Sequence, residues 1–117
     1  EGKDTYNASG EWSVRRSIIM PKYVDLVIGP ETGVMNAAGC FDTPKILLLS
    51  HSTEENLSKY WKNCVSLHAP EEIKCWPCHR LIHDVTDWPQ TNILKRPACI
   101  TNIKPMEIIK AVGRFYG

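Results

Sequence analysis

Residues 24–39 read VDLVIGPETGVMNAAG and, after a short gap, residues 45–50 read KILLLS. Val24 to Ile28 is a β-branched apolar run closed by Gly29-Pro30, the pattern of a strand buried on both faces of a parallel sheet. Thr32 then stands where a helix N-cap belongs, opening a brief helix through Ala38 that breaks at Gly39. Lys45 to Ser50 predicts a second buried strand. In the HSTEENLSKYWKN that follows, Ser52 and Glu55 have capping-box spacing, Leu57, Tyr60 and Trp61 fall on one face, and Lys62 suits the C-terminal end of the dipole, so a helix is predicted. Cys64 to Leu67 (CVSL) predicts a third strand. Strand, helix, strand, helix, strand implies parallel strands joined by right-handed crossovers, an α/β fold.

The flanks are simpler. Residues 1–10 (EGKDTYNASG) are polar and aperiodic and read as a loop or frayed end. EWSVRRSIIMPKY, from Glu11, predicts a short helix with Val14, Ile18 and Ile19 at helical spacing and Pro21 at its end. Residues 69–98 carry several prolines, Trp76 and Trp88 without a clear period and read as one long structured loop. Pro105 suits a first helical turn, and Ile108, Ile109 and Val112 form an apolar face ending at Gly113, which predicts a closing helix.

The length of 117 residues and the 43% hydrophobic content fit a single domain with one core. A net charge of +1 gives no electrostatic footprint for nucleic acid. The longest apolar runs are far shorter than the ~20 residues of a spanning helix, so the chain is not expected to cross a membrane. It starts at Glu1 without a signal-peptide pattern and reads as a processed or trimmed piece of something longer, with a cytoplasmic setting expected. Five cysteines are an odd count, and Cys40 and Cys64 sit in apolar or mixed stretches, so a full disulfide framework is not expected.

Three groups of residues bear on chemistry. A strand that delivers a Gly-containing turn to a helix start puts backbone N–H groups at the C-terminal edge of the sheet, which suits a phosphate; Gly29, Pro30 and Gly33 equally suit a turn that is merely tight. His51 and Ser52, after the second strand, share that edge with Glu31 and Thr32 if the sheet is parallel. Cys75-Trp76-Pro77-Cys78-His79, with His83 and Cys99 beyond, has a Cys-x-x-Cys knuckle that zinc could use, with Cys99 and either histidine completing four ligands; reduced loop thiols or a redox-labile pair explain it equally. The same run satisfies the haem-attachment pattern, which a parallel-sheet chain does not otherwise support. Arg15 and Arg16 fit a solvated helix face.

With these residues in view, the chain resembles the C-terminal, nucleotide-sugar-binding domain of the ADP-heptose:lipopolysaccharide heptosyltransferases, glycosyltransferases of the GT-B fold. In that family a D-L-V-I-G strand leads into Asp-Ser/Thr-Gly-x-x-His-x-Ala, matched here by Asp25 to Gly29 and by Glu31-Thr32-Gly33-Val34-Met35-Asn36-Ala37-Ala38. Thr43 to Leu49 resembles the next family strand, Cys75 to Cys78 a Cys-x-Pro-Cys found in many members, and Ala98-Cys99-Ile100 through Val112 the closing helix. Glu31 stands for the usual Asp, Asn36 for the usual His, and Ser50-His51-Ser52 for a Gly-Pro-Thr loop.

The resemblance implies a three-layer sandwich with a parallel sheet, the Rossmann-like half of a GT-B enzyme. It implies binding of an ADP-heptose-like nucleotide-diphosphate sugar through Glu31, Thr32, Gly33, Asn36, Ser52 and Thr53, for transfer to a glycan acceptor in lipopolysaccharide synthesis. No cofactor is required for transfer. The acceptor and the general base belong to an N-terminal domain of the family, so this chain alone is expected to hold no catalytic residue and no activity. Two other classes of function stay open: a non-catalytic remnant of such an enzyme, and a binding module stabilised by structural zinc on Cys75, Cys78, Cys99 and His79.

Overall fold

The computed structural model describes residues 4–78 and 97–117. His79, His83 and most of the predicted 69–98 loop lie outside the described residues. The order is α1 (Val14–Ile19), β1 (Val27–Pro30), α2 (Gly33–Ala38), β2 (Lys45–Leu48), β3 (Cys64–Leu67), α3 (Ala98–Thr101) and α4 (Pro105–Tyr116), with a 3-10 turn (Met20–Tyr23) continuing α1. The fold is a small α/β arrangement around a three-stranded parallel sheet of order β1-β2-β3. Ile28 pairs with Ile46 and Ile46 with Val65, which fixes the register.

Local chemistry accounts for the elements. Ser13 caps α1 by accepting the Arg16 N–H at 3.2 Å, and Pro21 falls where its missing N–H does no harm, at the start of the 3-10 turn. Thr32 Oγ1 accepts the Met35 N–H at 3.3 Å and caps α2 as its sequence position suggests. Glu107 closes the start of α4 by accepting the Lys104 N–H at 2.7 Å, and that helix runs through Gly113 to Tyr116.

Three expectations need correction. The first strand is Val27–Pro30, three residues downstream of the apolar run at its start, because Val27 pairs with Lys45. It is an edge strand with Ile28 exposed, not a strand buried on both faces. An edge position is also what lets Pro30, which has no N–H to give a ladder, sit inside the strand. Residues 51–62 wind in turns without becoming a regular helix, and their cap is Thr53, whose Oγ1 accepts the Asn56 N–H at 3.3 Å, not Ser52. The Lys59 N–H reaches the Glu54 carbonyl, five residues back, which breaks the i to i−4 ladder. Last, the short α3 at Ala98–Thr101 begins where the expected loop ends, at residues for which local pattern predicted no helix.

The core follows the alternation of the strands. Met35 and Ala38 of α2 pack with Val27, Leu47 and Leu49, and Leu57, Trp61 and Trp76 close over that cluster. Ile46, next to Leu47 on β2, points to the opposite face and is also fully buried, so both faces of the central strand are covered. α4 packs on β2 and β3, with Ala111 buried. Each fully buried aliphatic side chain of this kind contributes about 1.5–3 kcal/mol. Trp61 lies flat on Gly39: a Cβ there would meet the indole at 2.5 Å, so the glycine is required by the ring and not by its own backbone angles. Lys45, fully buried at the entry to β2, donates from Nζ to the Phe41 carbonyl at 2.9 Å and the Lys62 carbonyl at 2.6 Å.

Candidate functional site at the C-terminal edge of the sheet

Parallel pairing carries the segments that follow β1 and β2 to the same edge. There Glu31, the first residue after β1, reaches across to the loop after β2. Its Oε2 accepts the N–H groups of Ser50 at 2.6 Å, His51 at 2.7 Å and Ser52 at 3.2 Å, and the Ser50 hydroxyl at 2.9 Å. His51 Nδ1 lies 3.4 Å from the same oxygen and 3.2 Å from Ser50 Oγ.

The Glu31 side chain is 4% exposed. Burial alone would raise its pKa, but N–H donation from His51 and Ser50 and the side chains of Ser52 and Ser50 outweigh it and hold the carboxyl at about 2. The group is therefore an anion at any physiological pH. Its second oxygen, Oε1, is buried and has no partner among the described residues. A buried anionic oxygen without a donor is costly, so the latch holds charge that the described residues only partly balance.

The other expected site residues surround this latch. Thr32, Gly33 and Asn36 are exposed, and nothing lies within 4 Å of a Cβ placed on Gly33, so the space over the turn is open. The Thr32 hydroxyl is used as the cap and its carbonyl accepts the Asn36 N–H at 2.9 Å, leaving the backbone N–H groups of Thr32 and Gly33 for any ligand. Ser52 takes part through its N–H to Glu31, whereas Thr53 is turned to its own loop as a cap. Glu31, Thr32, Gly33, Ser52 and Thr53 thus lie on the two loops at one sheet edge, with Asn36 on α2 behind them. Arg16 lies over the Trp12 ring at 4.9 Å, in keeping with a surface role.

Sequence reasoning put His51 on this edge but not in the site. The bond network adds it, and the signal was a carboxylate beside an N-cap threonine facing a Ser-His-Ser loop one crossover away.

The cysteines form a second group. None of the five is in a disulfide. Burial pushes the Cys99 thiol up, and nearby Cys75 and Cys78 add to the effect, so the three sulfurs of the knuckle and α3 are electrostatic neighbours. Among the described residues no group of three or more His, Cys, Asp or Glu side chains is arranged to hold a metal ion. His79 is outside them. Beside this group, His68 stacks on Trp76 with centroids 4.6 Å apart and planes 4° from parallel, next to a cavity of about 420 Å³ lined by Leu67, His68, Asn102, Lys104 and Glu107.

No family model, curated protein or solved structure matches the chain. Among the described residues no helix is long and apolar enough to cross a membrane.

Proposed function

We propose that the chain is the donor-binding half of a GT-B glycosyltransferase of the heptosyltransferase kind, a three-layer sandwich that takes a nucleotide-diphosphate sugar at the C-terminal edge of its sheet. The observation that carries the reading is the meeting of the two loops after β1 and β2 at one sheet edge, with open space over Gly33 beside them. Ligands of open α/β sheets bind beyond the carboxyl ends of the strands, and a carboxylate ionised at that edge is an acceptor suited to hydroxyl donors, of which a sugar has several.

The roles divide by charge. Glu31 serves sugar hydroxyls and not phosphate, since like charges repel. The exposed turn at Thr32 and Gly33 takes the diphosphate, and the bare Gly33 allows close approach. Asn36, Ser52 and Thr53 border the sugar. In the enzymes the chain resembles, acceptor and general base come from another domain, so this half binds donor and bears the charge that develops on the leaving diphosphate, in the cytoplasm, without a required cofactor.

Titration calorimetry with ADP-glucose and UDP-glucose tests the reading. The parent chain is expected to bind at least one of them, and Gly33→Val, whose Cβ would have no atom within 4 Å, is expected to melt with the parent and to bind neither. A parent chain that binds neither sugar nucleotide overturns the donor-site reading; a folded chain without nucleotide affinity even when joined to its upstream sequence would be a non-catalytic remnant. A valine variant that binds as well as the parent moves the site elsewhere.

A further inference from the structure

The Glu31 latch fixes the tautomer of His51. The Ser50 hydroxyl proton is given to Glu31 Oε2, so Ser50 Oγ can only accept from Nδ1. Glu31 Oε2, on an ionised carboxylate, can also only accept. Both neighbours of Nδ1 are acceptors, and Nδ1 therefore carries a proton whatever the charge of the ring. Nε2 is left as the variable position: a lone pair on the neutral ring, an N–H on the imidazolium. The ring is 26% exposed, its Nδ1 lies against the buried carboxylate, and Nε2 is the ring nitrogen away from that contact.

A charge problem at this edge gives that position a use. A diphosphate over Thr32 and Gly33 would lie next to the Glu31 anion, the residue immediately before that turn. Lys45, the buried lysine of the sheet, is committed to two carbonyls at the opposite edge. A cation between carboxylate and diphosphate removes the repulsion, and an imidazole tethered to that carboxylate is placed to supply it.

We propose that His51, held through Nδ1 by Ser50 and Glu31, meets the donor's diphosphate through Nε2–H as an imidazolium and so neutralises part of the charge on the leaving group. The inference rests on the donor-site reading above and adds to it a ligand-contacting residue outside the heptosyltransferase-like set. Carboxylate, imidazolium and diphosphate then alternate in sign along the crevice. Among the described residues the charged group facing the ring is Glu31, from the turn after β1, whose carboxyl is held at about 2.

The test uses the whole chain with the sugar nucleotides already named. Their diphosphate is a diester and lacks the second ionisation, near pH 6, of a terminal phosphate, so any pH dependence over about pH 5 to 8 belongs to the protein. Affinity is expected to fall as pH rises through that range. His51→Gln is expected to unfold like the parent, to bind roughly 10-fold or more weakly at the acid end, as for loss of a charged hydrogen bond, and to lose the pH dependence. In ¹⁵N spectra the neutral His51 ring is expected as the Nδ1–H tautomer. A His51→Gln variant with unchanged affinity and pH profile overturns the role of His51 and leaves the donor site standing. Absence of binding by the parent overturns both.

Discussion

Replacing Glu31 by glutamine separates the charge of the latch from its shape. The side chain keeps its size and one carbonyl oxygen, but the amide cannot be an anion, and the N–H groups of Ser50, His51 and Ser52 then face a neutral acceptor. The magnitude follows from linkage. A carboxyl that titrates at its usual 4.5 in the unfolded chain and at about 2 in the folded one stabilises the fold by about 3 kcal/mol once both forms are ionised. The sign is that of a depressed acid: this stability is complete above pH 4.5, and it is lost as pH falls through the window down to about 2. Within the window the unfolded chain binds the additional proton.

Urea unfolding followed by tryptophan fluorescence at several pH values reads both quantities. At about pH 7 Glu31→Gln is expected to be less stable than the parent by roughly 1.5–3 kcal/mol, the range for a hydrogen-bonded charge. Between pH 4.5 and 2 the parent is expected to lose stability faster than the variant, so that the gap between them closes in acid. A variant that matched the parent near neutrality and showed the same acid slope would refute the claim that the carboxylate holds the second loop.

Gly39→Ala is expected to destabilise the fold by about 1–3 kcal/mol, the cost of overpacking, because its methyl would enter the Trp61 ring; a melting temperature equal to the parent's would show the indole free to move aside. Alkylation by iodoacetamide, followed site by site with mass spectrometry, is expected to label exposed Cys40 first, and Cys64 and Cys99 last, since burial pushes both of their thiols up. Cys99 reacting as fast as Cys40 would mean that α3 does not pack as described.

What could be seen in the sequence was what short-range pattern determines. β3 has the bounds its composition suggests, β2 starts at Lys45 as expected but ends at Leu48 rather than Ser50, and α2 announces itself by Thr32 before Gly33. The first strand was misplaced because Val24 to Ile28 is the more apolar run, whereas pairing is decided by where Val27 meets Lys45, a contact between distant residues. Residues 51–62 have helical spacing, yet the start of the segment is held by Glu31 from another element and the Ser58 hydroxyl is tied to Ser66 on β3 at 2.7 Å, and tertiary bonds of this kind override local preference. For the site, the edge was legible and the roles were not. Nothing local says that Glu31 spends one oxygen on the next loop and keeps the other bare.

Lys45 and Glu31 together set a limit on how this sheet can err. Strands of four residues offer little to distinguish one alignment from the next, and a slip of a single residue would exchange the two faces of a strand. Here a slip of β2 against its neighbours would tear a buried ammonium from the Lys62 carbonyl at one end and three amides from a buried carboxylate at the other. Misalignment therefore leaves charges without partners in an apolar interior, a far heavier penalty than mismatched methyl groups. The same two residues that look expensive in a core this small act as its proofreading: they make the wrong alignment intolerable where hydrophobicity alone would have made it merely second best.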